Sequence, residues 1–228
     1  MTDRRSKMAE IQTEMDRWFS GKQLVRFRHS NAFYYWFKTL ERYRDQECKV
    51  LEIGSYEGRS AIAFLELLPK CHLTSIDIHA RAETEARFDS NMSFYGSRVR
   101  KIKSRAAQAL DGLLTDQEKF DVILIDTGKK RDFAYLYSTF VWPLLKVGGT
   151  LIWDDYGWRP KGKEDDPKAG PGPGIAMFVQ QFSPCLQIEH AGKQLIARKS
   201  RHWPKFTPAS QTLLAQRRGR KKAIDAKA

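Results

Sequence analysis

The feature that most limits how this chain can fold is an alternation running from Lys49 to Asp155. Short apolar runs (KVLEIGS, HLTSIDI, RVRKIKS, FDVILID and GGTLIWDD) are separated by longer stretches with helical spacing, such as GRSAIAFLELL. The second run leads into a helical stretch to about Tyr95, the third into another, and the fourth into one ending near Leu145. Parallel strands need a crossover of about a dozen residues or more, which a helix supplies. The pattern therefore predicts an α/β domain, a mostly parallel sheet with helices on both faces.

The flanks follow other rules. Residues 3–19 are charged, with Met8, Ile11, Met15 and Trp18 three or four apart, which predicts a helix. A second helix is expected over residues 30–45, carrying FYYWF at Phe33–Phe37. So aromatic a helix suits core packing or a subunit interface, and hence a homo-oligomer. After Asp155 the stretch YGWRPKGKEDDPKAGPGPG is crowded with Gly, Pro and charge. A connection that long in a compact domain is usually functional or mobile, and its position suits closure over a substrate. A helix near Ile175–Phe182 follows, then CLQIEHA and KQLIARK, whose short Gly-Lys junction reads as an antiparallel hairpin. The chain divides into a helical extension (1–47), a central domain (48–200) and a basic tail (201–228).

Length and composition narrow the function classes. At 228 residues and 41% hydrophobic content, the chain suits one globular domain with extensions. No apolar run approaches the roughly 20 residues of a membrane span, and the N-terminus lacks the apolar middle of a signal peptide. Cys48, Cys71 and Cys185 are far apart and form no CxxC pair, so a reducing cytoplasm is expected. The net charge of +13 favours polyanionic partners. From Arg198 to Lys222 there are nine Lys or Arg and no Asp or Glu. That tail serves either solubility or docking onto nucleic acid.

Ligands of open parallel sheets sit beyond the carboxyl ends of the strands, where strand order reverses. The first strand ends in LEIGSYEGRS, where Gly54 and Gly58 bracket a tight turn that lets a ligand approach the backbone. The second ends in Asp77, an acid able to accept hydrogen bonds from two ribose hydroxyls. The turn has neither the spacing of a dinucleotide site nor that of a phosphate-cradling P-loop. Asp126 closes the fourth run, while Asp154 and Asp155 close the fifth. Two adjacent carboxylates repel, so something nearby must balance them, or one caps the following turn while water screens the other.

The order of these elements resembles the Rossmann-like class I S-adenosylmethionine-dependent methyltransferases, and more narrowly the methyltransferase family 24 group. The stretches LEIGSYEGRSA, FDVILIDTG, WPLLKVGGTLIWDDYGW and QLIARK carry the resemblance, which covers roughly residues 48–200. It implies a seven-stranded, mostly parallel sheet ending in an antiparallel hairpin, and a cofactor, S-adenosylmethionine. Glu52, Gly54 and Ser55 would face its methionine part, Asp77 its ribose, and Ile78, Ser104 and Arg105 its adenine, with Asp126 also beside the cofactor. Related catechol-type and sugar O-methyltransferases hold a metal at corresponding strand ends. The resemblance therefore implies that Asp126, Asp154 and Asp155 bind a divalent metal, magnesium by its preference for oxygen ligands. Such an ion orients an acceptor hydroxyl and lowers its pKa. Lys129, three residues after Asp126, stands where catechol-type relatives place a catalytic lysine. Family 24 members commonly have histidine there. The alternative for Lys129 is a solvated basic face in the run KKR.

Weaker candidates are His79 beside the cofactor, His72 and His190 in strand runs, and Trp153, Tyr156 and Trp158 as pocket walls or core. The expected activity is O-methylation of a hydroxylated small molecule, sugar or glycan. An RNA ribose methyltransferase docking through the basic tail, or a non-catalytic binding module with this fold, are the alternatives.

Overall fold

The computed structural model describes residues 2–25, 32–127, 129–163, 166 and 168–202. Most of the basic tail, 203–228, and the Glu164, Asp165 and Pro167 positions of the loop after Asp155 lie outside the described residues. Among the described residues, no helix is long and apolar enough to cross a membrane.

Seven strands form one sheet: β1 (Cys48–Ile53), β2 (Cys71–Asp77), β3 (Val99–Lys103), β4 (Phe120–Ile125), β5 (Leu145–Trp153), β6 (Leu186–Ala191) and β7 (Leu195–Lys199). Their order is β3-β2-β1-β4-β5-β7-β6. The first five are mutually parallel, and β7 runs antiparallel between β5 and β6. The order reverses between β1 and β4, which opens a crevice beyond their carboxyl ends.

Neighbouring residues on a strand face opposite sides, and here both sides are covered. Val50, Leu124 and Ile152 point into one hydrophobic cluster, with Phe64, Trp36 and Trp18. Leu51, Ile123 and Trp153 point into another, with Val141, Phe178 and Leu110. The first cluster is roofed by α1 (Thr2–Phe19), α2 (Ala32–Thr39), α3 (Arg59–Leu67) and α4 (Ala82–Met92). The second is covered by α5 (Ala106–Thr115), α6 (Arg131–Val141) and α7 (Gly172–Phe182). Gly174 is where α7 meets α6: a Cβ there would lie 1.9 Å from the Arg131 carbonyl oxygen.

The N-terminal helices pack on this same core. Trp36 stacks on Phe64 with centroids 4.3 Å apart, and Trp18 on Phe37 at 5.4 Å. The second helix is shorter than expected. Among the described residues it spans Ala32–Thr39, and a 3-10 turn at Glu41–Tyr43 follows. There the Tyr43 hydroxyl donates to the Gly148 carbonyl at 3.0 Å, tying the chain to β5 instead of extending the helix. The helix expected to reach Tyr95 ends at Met92 and passes into a 3-10 segment, Ser93–Arg98, because Gly96 adopts φ 54 and ψ −130.

Candidate active site

At the carboxyl edge each loop is held by its neighbour. Ser104 N–H donates to the Asp77 carbonyl at 3.0 Å, and Gly54 N–H to that of Ile76 at 2.8 Å. Asp126 N–H donates to Ile53 at 2.9 Å and Asp154 N–H to Ile125 at 3.1 Å. The sheet ladder thus continues one residue beyond the strands, and the residues it fixes there are those singled out in the sequence. Gly54 has φ +94, and a Cβ at that position would meet the Asp126 carbonyl oxygen at 2.1 Å. Only glycine lets the two loops approach so closely.

A cleft of about 650 Å³ opens over this edge. Gly54, Ser55, Asp77 and Ile78 line one part of it, and Asp126, Lys129, Asp154 and Asp155 another. Asp77 accepts from Tyr56 N–H at 2.9 Å on one oxygen and from His79 N–H at 2.8 Å on the other. Both donors sit at positive φ, 51 and 44, so the turns after β1 and β2 are shaped around this carboxylate. Each oxygen keeps further acceptor capacity, and Asp77 lines the cleft. Ile78 is 53% exposed there, a flat apolar surface.

Glu52, Ser104 and Arg105 do not line the cleft. Glu52 is fully buried beneath it, its carboxyl held by the hydroxyls of Ser60 and Ser75. Burial pushes its pKa up to about 8; the Ser60 hydrogen bond opposes this and the Asp77 charge adds to it. His79 is buried against Phe88, where desolvation lowers its pKa. His190 stacks on Tyr35, away from the cleft. Trp153 is core, with its indole N–H on the Ser138 hydroxyl at 2.8 Å.

The three strand-end aspartates converge. One carboxylate oxygen from each of Asp126, Asp154 and Asp155 lies within 4.8 Å of the others. Burial raises the pKa of Asp126 well above the usual range; Asp154 and Asp155 add to this, and Lys129 pulls it down. Burial also raises Asp155, with Lys129 opposing. Lys129 Nζ is 3.4 Å from Asp155 Oδ2 and 5.1 Å from the Trp158 ring centroid.

Residues that carried no signal in the sequence complete the rim. The Gln194 amide donates to Asp154 Oδ1, and its carbonyl accepts the Trp36 indole N–H at 2.9 Å. Glu57 accepts from Arg87 at 2.7 Å and from Val25 N–H at 2.9 Å, which draws residues 23–25 along the cleft. A polar residue in a hairpin turn and an aromatic one in a helix look ordinary until the fold brings them together.

The residues fit both groups implied by the resemblance. Buried Ser55 Oγ has no partner among the described residues, and Ser55 lines the cleft beside Gly54, whose missing side chain makes room for the Asp126 carbonyl. Three converging carboxylates, two of them with pKa values raised by burial and further by their acidic neighbours, form a hard-oxygen set suited to a divalent cation.

A sheet in this order, with a glycine turn closing β1, an acid closing β2 and the cleft at the reversal, has the Rossmann-like architecture of the class I methyltransferase fold. The family 24 model, described as a methyltransferase domain, matches residues 51–156, a little under half of the chain. A solved structure of MycE methyltransferase from the mycinamycin biosynthetic pathway, in complex with Mg, SAH and mycinamycin VI, has a TM-score of 0.63 at 17% identity. That match covers 84% of this chain but 57% of the MycE chain. The O-methyltransferase TomG from Streptomyces achromogenes, in complex with SAM, matches at TM-score 0.59 and 22% identity, over 82% of this chain and 87% of its own. An O-methyltransferase from Bacillus cereus, in complex with SAH, matches at 0.57 and 19%, over 85% and 91%. At these identities the likeness is one of fold. Among curated proteins none matches the chain in sequence.

Proposed function

We propose that the protein moves the methyl group of S-adenosylmethionine to a hydroxyl oxygen of a small-molecule or glycan acceptor, with a divalent metal, magnesium by its ligand chemistry, at the strand ends. The observation that carries this reading is the convergence of Asp126, Asp154 and Asp155 on the cleft that Gly54 and Asp77 also line. Complexes of fold relatives with Mg and SAH, and with SAM, agree with it.

In this reading Asp77 accepts from the ribose hydroxyls. Gly54 and Ser55 receive the methionine part, with Glu52 beneath, and Ile78 faces adenine with Ser104 and Arg105 at the outer edge. S-adenosylmethionine supplies an electrophilic methyl: its C–S bond breaks as the O–C bond forms, and the thioether S-adenosylhomocysteine leaves. A divalent ion held by Asp126, Asp154 and Asp155 would lower the acceptor's pKa and orient it. Lys129 Nζ, 3.4 Å from Asp155 at the rim, is the group placed to take the hydroxyl proton. Gln194 and Trp36 keep Asp154 turned toward the rim.

The test combines binding with transfer. S-adenosylmethionine should bind in calorimetry, and transfer to vicinal diols should require added Mg or Mn and stop in excess chelator. Equal transfer with chelator present would remove the metal from the reading.

A further inference from the structure

Beside the acidic rim lies a second cleft, also of about 650 Å³, whose described lining is mostly basic. Lys129, Lys130, Arg131, Lys163 and Lys168 line it, against one described carboxylate, Asp166. Glu164 and Asp165 of the same loop lie outside the described residues. Arg131 is paired with Asp132 at 2.8 Å, and Lys129 faces Asp155. Lys130, Lys163 and Lys168 make no ion pair with a described residue. Like charges gathered in one concavity repel one another and focus a positive potential, which a bound anion relieves.

The walls are built rather than incidental. Trp158 and the half-exposed Phe133 offer flat apolar faces. Gly170, at φ +77, presses so close to Trp158 that a Cβ would meet its carbonyl oxygen at 2.5 Å. Arg159 donates to that same carbonyl at 2.9 Å. Helix α6 begins here, and the free N–H groups of its first turn add to the positive field. Lys129 lines both clefts, so the basic lobe adjoins the aspartate rim.

From this juxtaposition we infer that the methyl acceptor is an acid. Its hydroxyl sits at the aspartate rim, and its carboxylate, phosphate or sulfate lies among Lys130, Lys163 and Lys168, with the body of the molecule against Trp158. The placement of the hydroxyl rests on the O-methyl transfer proposed above; the placement of the charge rests on the lobe itself. A lobe of about 650 Å³ suits a small acid better than a polymer, whose phosphates need a long basic track.

The test uses 3,4-dihydroxybenzoate and its methyl ester, which share vicinal hydroxyls and differ by one charge. Each is titrated by calorimetry into the protein saturated with S-adenosylhomocysteine and Mg, at low and moderate salt. The acid should bind about tenfold more tightly than the ester at low salt, and the ratio should shrink as salt rises. In the double variant Lys130→Gln/Lys163→Gln the ratio should fall to about threefold or less. Unaltered melting and S-adenosylhomocysteine binding serve as the control for folding. Equal binding of acid and ester, a ratio untouched by the variant, or binding of neither overturns the inference. So does tight, steeply salt-dependent binding of a single-stranded RNA that the variant loses while acid and ester bind alike. If S-adenosylhomocysteine itself fails to bind, the methyl transfer reading fails. The acid-to-ester ratio, measured without it, then still decides the charge assignment.

Discussion

Lys129 Nζ stands 3.4 Å from Asp155 Oδ2, at the seam between an acidic rim and a basic cleft. It opposes the raised pKa values of Asp126 and Asp155, and its other face lies toward Trp158. One side chain therefore connects the site proposed for the cation with the site proposed for the acceptor's charge.

Lys129→Ala should lower kcat by about 10²–10⁴-fold, the span of a lost general base, with part of the rate recovered at high pH. Lys129→Arg keeps a cation beside Asp155 but does not give up its proton. The two variants should therefore be similarly slow. An arginine variant with the native rate would show that charge alone is needed.

Asp155→Asn should weaken Mn binding, followed by electron paramagnetic resonance, by more than about 100-fold. S-adenosylhomocysteine affinity should change little, because Asp77 and the glycine turn are untouched. Mn affinity equal to that of the native chain would separate Asp155 from any metal.

Gln194→Leu removes the amide that holds Asp154 and leaves the Trp36 indole N–H without its acceptor. Orphaning that buried donor should cost about 1–3 kcal/mol in urea unfolding. Metal affinity should fall by about 10–100-fold, as for other residues that orient a ligand. A stability loss without change in Mn affinity would reduce Gln194 to packing.

Glu52 sets a pH dependence whose direction follows from its pKa of about 8. An unfolded glutamate loses its proton near 4.3, so between about 4.3 and about 8 the native chain holds a proton that the unfolded chain has lost. The Glu52 contribution is therefore present at low pH and lost as pH rises through that window, by up to a few kcal/mol, on the order of 1.4 per pKa unit. Glu52→Gln, which mimics the neutral acid, should flatten this part of the melting profile between pH 5 and 8. A profile parallel to that of the native chain would mean that Glu52 is ionised throughout.

Gly54→Ala should be poorly tolerated, since the new Cβ would sit 2.1 Å from the Asp126 carbonyl and φ is +94. A loss of about 1–3 kcal/mol is expected, together with weaker cofactor binding. An alanine variant with native affinity would mean that the two loops separate easily.

The alternation from Lys49 to Asp155 determined the parallel sheet, because burial on both faces imposes a pattern visible within a few residues. It also placed Gly54, Asp77, Asp126, Asp154 and Asp155 at strand ends, where the structure finds them. The second N-terminal helix stops at Thr39, short of the end that its spacing predicts, and a tyrosine bond to Gly148, more than a hundred residues away, ties the chain to β5.

Tertiary structure alone decided which of these residues meet. Asp126 lies within 4.8 Å of Asp154 and Asp155 because β4 pairs with β5, and local periodicity carries no record of strand order. Gln194 reaches Asp154 because β7 inserts beside β5, and Trp36 reaches Gln194 because α2 packs over the sheet. The basic lobe likewise joins the start of α6 to a loop distant in sequence. Hydrophobic spacing is a property of neighbours along the chain, whereas a site is a property of neighbours in space, and only packing converts one into the other.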